Sequence, residues 1–267
     1  LVVDALFGAG LNRDLEGAGL ALVVAMRDGA AAGDFKVVAV DVPSGIDGDS
    51  GRVRGAAASA DLTVTFFRPK PGHLLMPGRA HMGALRTLDI GIPDAVLAAI
   101  APVQARNTPR YWGNCMASPG AGDHKYRRGH AVIAAGAVMT GAARLAAMAA
   151  RRIGAGLLTI ASPAEVADLY RAGAAGFLVA DCQTPGDFEA AIADPRRNAI
   201  LVGPGQGIGP NTRANAEAAL GSGRAVVLDA DALTMFKGQA DELARLATGP
   251  LVIMPHDGEF GRLFPDL

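Results

Sequence analysis

The sequence predicts an α/β protein built from two blocks of parallel sheet, and three observations predict it. Short apolar runs alternate with helical patterns, most runs end in a polar or glycine-rich turn, and the pattern lapses once near the middle of the chain. The 267 residues are 50% hydrophobic, with 35 Gly and 16 Pro, which suits a globular α/β chain with many tight turns. Aromatic residues make up only 5%, so Ala, Val, Leu and Ile must fill the core.

In the first block, residues 1–3 and 36–40 are apolar runs of the kind shown by strands buried on both faces. Between them, residues 20–26 carry a helical pattern ended by Asp28-Gly29. A third run, 62–67, is β-branched and aromatic and follows Ala-rich sequence expected to be helical. Residues 83–93 close the block as a last strand. From about Pro102 to Asp123 the periodicity fades, and Asn107-Thr108-Pro109, Trp112 and Ser118-Pro119-Gly120-Ala121-Gly122 mark a linker. The expected organisation is therefore a domain over 1–101, a linker over 102–123 and a second domain over 124–267. The second domain repeats one plan five times, with runs at 131–135, 157–160, 199–202, 225–228 and 251–254. A helix over 141–153, capped by Thr140 and stopped by Gly154, fills one gap.

The formal net charge is −1, so charge asks for neither nucleic acid nor an anionic membrane. Cys115 and Cys182 form no metal-spacing motif and fit a reducing, cytoplasmic compartment. No apolar run spans a bilayer, and residues 1–4 lack the features of a signal peptide. Leu1 falls in a strand already in progress and Leu267 just after a helix start, so both ends are expected to be cut.

In parallel sheets, ligands bind outside the carboxyl ends of the strands. Asp4 ends the first run and opens a turn containing Gly8 and Gly10, whose freedom at positive φ lets a ligand approach backbone N–H groups. Asp41 likewise ends a run and precedes Val42-Pro43-Ser44-Gly45-Ile46-Asp47. Either carboxylate alone is as readily a cap of its own turn. Two at equivalent positions of neighbouring strands point to a shared site for a hard cation or a sugar hydroxyl.

Four ordered stretches, DALFGAGLNRDLEG, AVDVPSGIDGDSG, DLTVTFFRPKPG and LDIGIP, resemble the NAD(P)H-hydrate epimerase (YjeF N-terminal) family across roughly residues 1–95. The resemblance implies a Rossmann-like fold that binds hydrated cofactor and a potassium ion. It implies Asp4 and Ser44 as potassium ligands. Gly8, Ala9, Gly10, Leu11, Asn12, Arg13, Asp14 and Asp41 would contact the substrate. Asp4 or Asp41 would be the acid–base group for interconversion at C6 of the nicotinamide ring. Lys70 sits in the family's TF…K-G stretch, with a plain surface lysine as the other reading. The family's Gly-Asn-Asn-Gly-Gly-Asp phosphate loop would precede Leu1.

In the second block, Gly203-Pro204-Gly205-Gln206-Gly207-Ile208-Gly209 follows a run; alone, such a glycine run is as often a solvent loop. Asp229 and Asp231 end the next run, and Pro255-His256-Asp257-Gly258-Glu259 ends the one after. The basic cluster from His124 to His130 leads into the first run and reads otherwise as a solvated face. Asp229 and Asp231 have a bland reading as N-caps, and His256 as a helix-cap histidine. Together the turns suit a phosphorylated, hydroxyl-rich ligand, with Lys125 adding positive charge to phosphate held by N–H groups.

HKYRRGHAVIAAGAVMTGAARLAAMAARRIGAGLLTIASP, LVGPGQGIG, VVLDADAL and MPHDGEFGRLFP resemble the ADP- or ATP-dependent NAD(P)H-hydrate dehydratase (YjeF C-terminal) family, from His124 to the end. Two departures are Ala137, where serine is common, and Asp257, where proline is common. The resemblance implies a ribokinase-like fold with Ala142, Gly203, Gly205 and His256 lining the hydrate site and Asp229 and Asp231 supporting it. It implies ADP or ATP as phosphate donor, a magnesium ion, and a catalytic aspartate in a Gly-Thr-Gly-Asp motif beyond Leu267. Both families commonly self-associate, which implies a homo-oligomer. The fold class is thus a partial Rossmann-like domain followed by a partial ribokinase-like domain. Two other functions remain open: a ribokinase-like small-molecule kinase, and a non-catalytic binding module in the first domain.

Overall fold

The apolar runs of the first block form strands because their β-branched side chains fit a pleated, covered surface. They are β1 (Val2–Asp4), β2 (Val37–Val40), β3 (Leu62–Phe66) and β4 (Ala84–Leu88), parallel and hydrogen-bonded in that order. Helix α1 (Gly17–Ala32) joins β1 to β2, and its Val23 and Met26 bury against Val37 and Ala39. Short helices α2 (Ala95–Ile100) and α3 (Pro109–Trp112) follow the sheet. This computed structural model describes residues 1–116, 120–173 and 175–267, so Ser118 and Pro119 of the expected linker lie outside the described residues. The chain divides into two compact units, Leu1–Cys115 and Met116–Leu267.

Three expectations for the first unit are corrected. The helix does not end at Asp28-Gly29: it runs to Ala32, and Gly33 (φ 83°) caps it in the left-handed region. Gly29 is there for packing, since a Cβ on it would sit 2.6 Å from the Phe35 ring. The Ala-rich stretch before β3 is not helical. Its backbone N–H groups are spent elsewhere, Ala60 donating to the His81 carbonyl at 2.8 Å. It passes so close to the turn after β2 that a Cβ on Gly45 would fall 1.7 Å from the Ala56 oxygen. The last strand stops at Leu88, because the Asp89 carboxylate accepts the Gly91 N–H (2.8 Å) and turns the chain.

The second unit comprises β5 (His130–Ala134), α4 (Thr140–Ile153), β6 (Leu157–Ser162), α5 (Ala167–Arg171), β7 (Leu178–Asp181), α6 (Pro185–Ala193), β8 (Ala199–Val202), α7 (Pro210–Gly221), β9 (Ala225–Leu228), α8 (Ala230–Thr234), α9 (Ala240–Leu246), β10 (Leu251–Ile253) and α10 (Asp257–Leu263). The sheet has six strands rather than five, all parallel, in the order β10-β9-β8-β5-β6-β7. The extra strand is β7, a half-exposed edge whose short apolar run has no glycine turn after it. Thr140 is the first helical residue of α4 and makes no side-chain cap, while Gly154 ends the helix as expected.

Alternation along β5 builds two cores. Val132 and Ala134 face Phe188, Leu220, Leu233 and Phe236 on one side of the sheet. Ile133 and Ala135 face Ala143, Ala147 and Tyr170 on the other. Helices therefore cover both faces, and the turns after the strands are the uncovered edge.

Gly33→Ala is expected to lower the stability of the first unit by about 1–2 kcal/mol, because an L side chain must then adopt the left-handed conformation. The added methyl group meets only open space, so no packing offsets that strain. A urea denaturation midpoint that falls with an unchanged slope is the measurement; an unchanged midpoint would refute this account of the cap.

Candidate functional site

At the end of β1, Asp4 is 1% exposed and is clasped by a residue forty positions away. Ser44 donates its backbone N–H to Oδ2 at 2.7 Å and its hydroxyl to Oδ1 at 2.5 Å, and Ser44 Oγ accepts the Phe7 N–H at 3.0 Å. Asp4 Oδ1 also accepts the Leu6 N–H of its own turn at 3.5 Å, but its shorter bonds are those from Ser44. No ion pair reaches it among the described residues.

Asp41 is not level with Asp4. Asp4 pairs with Ala39 in register, so Asp41 stands two residues further out, in the left-handed region at φ 67°. Its Oδ1 accepts from Thr65 Oγ1 at 2.8 Å and from Lys70 Nζ, while Oδ2 accepts only the Ala9 N–H at 3.3 Å. A Cβ on Gly8 would lie 3.3 Å from that same Oδ2. Lys70 is thus a partner of Asp41, not a free surface lysine.

His73, 2% exposed, ties the two together: its Nδ1 accepts the Lys70 N–H at 2.8 Å and its Nε2 donates to the Asp41 carbonyl at 2.7 Å. Sequence reasoning missed His73 and Thr65, because no local pattern marks them and only the fold brings them to Asp41. Burial pushes the Asp41 carboxyl up, but hydrogen bonds from Lys70, Thr65 and Ala9 outweigh it and hold the group below the usual range. Burial holds His73 below the usual imidazole range, with the Lys70 charge adding to it and the bond to Asp41 opposing it.

The remaining expected substrate contacts lie on the turn after β1. Gly10, Asn12, Arg13 and Asp14 are exposed, whereas Leu11 packs on the core of the unit and shapes the turn through its N–H bond to the Gly8 carbonyl. A hollow of about 360 Å³ lined by Phe67, Arg68, Thr87, Asp89, Ile92 and Asp94 opens at the ends of β3 and β4.

In the second unit, strand order reverses between β5 and β8, which is the switch point where such sheets hold ligands. The turns there touch backbone to backbone. A Cβ on Gly136 would lie 1.8 Å from the Gly205 oxygen, and one on Gly205 2.5 Å from the Met139 oxygen. Gly203 has φ 123°, and its Cβ would lie 1.8 Å from the Asp229 oxygen. Gln206 Oε1 accepts the Gly203 N–H at 2.8 Å and Asp231 Oδ2 accepts the Gly207 N–H at 2.8 Å. Ala142, in the first turn of α4, donates its N–H at 3.2 Å to the Met139 carbonyl, the same oxygen that a Cβ on Gly205 would meet. Gly203, Gly205, Ala142 and Asp231 are brought together. Asp231 is a latch on the glycine turn, not an N-cap.

The other residues stand apart. Asp229 caps α8 by accepting the Ala230 N–H at 2.9 Å, which is its bland reading. His256 also caps a helix: Nδ1 accepts the Gly258 N–H at 3.0 Å, and Glu259 completes a capping box. It sits at the end of β10, two strands from β8, roughly 10 Å along the sheet edge. Lys125 requires a correction. Its backbone packs against Gly156, ahead of β6, and its ammonium lies 5.4 Å from the Tyr126 ring, which Arg196 also covers. These are the amino ends of parallel strands, the edge opposite the glycine turn, so Lys125 does not join Gly203 and Gly205. His130, expected in the same cluster, is buried and bonded to Thr159 at 2.7 Å.

The first unit is the smaller parallel α/β sheet, with its candidate site at the strand ends, and a six-stranded parallel sheet with glycine turns locked at its switch point defines the second unit as a doubly wound α/β fold. A solved Streptococcus mutans protein of hypothetical function shares this fold, with a TM-score of 0.50 and 19% identity over 60% of this chain and 57% of that one. An ADP/ATP-dependent NAD(P)H-hydrate dehydratase of Bacillus subtilis aligns at TM-score 0.45 and 27% identity, over 55% of this chain and 51% of its own. Residues 131–267 match the family described as NAD(P)H-hydrate dehydratase, and residues 1–72 match the YjeF-related protein N-terminus. The chain belongs to the NAD(P)H-hydrate dehydratase family. Similar relatives named bifunctional NAD(P)H-hydrate repair enzyme Nnr come from Synechocystis sp., at 33% identity over 100% of this chain and 52% of the relative, and from Salinibacter ruber, at 37% over 98% and 50%. The chain spans about half the length of these relatives.

Because His73 is neutral in its bridging role and its folded pKa lies below 6.5, its contribution to stability is complete above about pH 6.5. It is lost as pH falls from there through the folded value. NMR titration of the His73 ring is expected to give a midpoint below 6.5, with the Lys70 amide losing exchange protection as the ring protonates; a midpoint at or above 6.5 would contradict the bridge.

Proposed function

We propose that the first unit interconverts the two C6 epimers of NAD(P)H hydrate, and that the second carries the hydrate side of a nucleotide-dependent NAD(P)H-hydrate dehydratase. The observation that carries the first assignment is the pair of strand-end carboxylates in different states of engagement. Both Asp4 oxygens are taken by Ser44, whereas Asp41 Oδ2 faces the Gly8 and Ala9 turn with one long N–H bond. Asp41 is accordingly the acid–base group, and Asp4 a ligand.

The hydrate carries a hydroxyl on C6 beside the ring nitrogen. Its epimerisation breaks that C–O bond with electrons from the nitrogen and forms a new one to water on the other face. The hydroxide that leaves takes a proton from solvent and departs as water, while Asp41, ionised, takes the proton of the adding water and returns it to solvent; in the reverse direction Asp41 gives a proton to the leaving oxygen and solvent takes that of the adding water. The loop residues Gly8, Ala9, Gly10, Leu11, Asn12, Arg13 and Asp14 bind the substrate around it.

Potassium fits the residues present. Asp4 is a buried carboxylate with no cationic partner among the described residues, and Ser44 Oγ and the Phe7 carbonyl, 3.4 Å apart, stand beside it. A buried, uncompensated carboxylate is costly, and oxygen donors of this kind suit a hard cation. Potassium there would supply positive charge toward the substrate. Magnesium has no comparable set: among the described residues no three His, Cys, Asp or Glu side chains come together.

In the second unit, Gly203, Gly205 and Ala142 form the hydrate site, Asp231 holds the turn, and Asp229 and His256 flank it. ADP or ATP would be the phosphate donor, as the resemblance of residues 124–267 to ADP- or ATP-dependent dehydratases implies. Phosphorylation of the C6 hydroxyl followed by loss of phosphate restores the nicotinamide ring. The same reading includes a homo-oligomer and a cytoplasmic protein; among the described residues no helix is long and apolar enough to cross a membrane.

Given hydrate, potassium and nucleotide, the intact protein is expected to regenerate the near-ultraviolet absorbance of NAD(P)H. A stable phosphorylated alcohol as product would instead identify a small-molecule kinase. In Asp4→Asn, potassium-dependent thermal stabilisation is expected to disappear; stabilisation equal to wild type would remove Asp4 from the cation site.

A further inference from the structure

We propose that Lys70 and His73 are positioning residues for Asp41: with Thr65 they pin Oδ1 and the backbone, leaving Oδ2 alone to face the turn at Gly8 and Ala9. The proposal rests on the epimerase reading for its chemistry and on the geometry for its structure.

Lys70 is not itself the proton donor. Its ammonium has three hydrogens, and three acceptors surround it: Asp41 Oδ1, Thr65 Oγ1 at 2.9 Å and the Phe66 carbonyl at 3.5 Å. No hydrogen is left over for a substrate. What the ammonium does is occupy Oδ1, which Thr65 also occupies from a fully buried position. A carboxylate with one oxygen doubly engaged cannot rotate, so the proton-accepting lone pairs of Oδ2 keep one direction.

His73 fixes the other end. Residue 41 sits in the left-handed region, a conformation unfavourable for a residue with a Cβ. The surroundings must hold it there. The Asp41 N–H donates to the Val64 carbonyl at 2.7 Å, and the Asp41 carbonyl accepts from His73 Nε2. The same ring accepts the Lys70 N–H on Nδ1, so one buried imidazole sets the spacing between the base and its cation. Its tautomer follows from those two bonds: the proton is on Nε2.

The test uses the intact protein with Lys70→Met, Lys70→Arg and Thr65→Val. Lys70→Met is expected to slow epimerisation about 100-fold with KM changed less than about threefold, and Lys70→Arg to recover most of the loss. As pH falls, the Lys70→Met rate is expected to drop at a higher pH than the wild-type rate, because Asp41 without its cation takes up a proton more readily. Thr65→Val, which keeps the cation, is expected to show a smaller slowing in the same direction. Carbon-13 NMR of the Asp41 carboxyl gives a readout free of activity: its titration should move upward in Lys70→Met. That upward movement with no epimerisation by wild type would sink the epimerase reading and leave the positioning network standing. An unmoved carboxyl titration, or Lys70→Met and Lys70→Arg equally slow with flat pH profiles, would overturn the proposal. If Lys70→Met fails to fold by circular dichroism, Thr65→Val decides, and an unmoved Asp41 titration in it overturns the proposal as well.

Discussion

Backbone meets backbone at the carboxyl ends of both sheets, with no Cβ between. The Gly45 turn lies against Ala56, the Gly136 turn against Gly205, and Gly203 against Asp229, each at a spacing where a methyl group would fall within 1.7–1.8 Å of a carbonyl oxygen. Packing at that range is not adjustable by rotamers, so the turns hold a shape that flexible side chains could not. In the first unit this contact brings the Ser44 turn to Asp4. In the second it closes the switch point, so that the Gly203–Asp229 contact and the Asp231 latch set where N–H groups point.

The first unit manages two strand-end carboxylates by different means, and the roles proposed for them rest on that difference. Asp4 is buried and satisfied by neutral donors from Ser44, which leaves its charge uncompensated in the protein. Asp41 is half-buried and meets a full cation on one oxygen while the other is almost free. A group in the first state attracts a counter-ion; a group in the second is prepared to move a proton. Similar residues at neighbouring strand ends thus come to differ through partners drawn from three separate segments.

The folds of both units were legible because buried parallel strands write themselves as apolar runs, and because Asp4, Asp41 and the Gly203 turn stand directly at the ends of those runs. Where the sequence misled, a packing demand had displaced a local preference. Gly29 reads as a helix stop, but Phe35 needs the space. The alanines before β3 read as helix, but their backbone is committed to other segments. Lys125 reads as a phosphate partner because it precedes a strand, yet in a parallel sheet the residues before a strand lie on the edge opposite those after it. The Asp229 and His256 side chains are indeed helix caps, a reading available from spacing alone.

By itself the sequence determined the succession of strands and helices along the chain, the glycines that permit close turns, and the family to which the motifs belong. These are local quantities: periodicity, φ freedom and residue type at a fixed offset from a strand. Only the tertiary structure decided that Asp41 lies two residues beyond Asp4, that Lys70 and Thr65 share one of its oxygens, and that His73 bridges the pair. Those facts depend on strand register and on contacts between segments 24 to 40 residues apart, which no local pattern encodes.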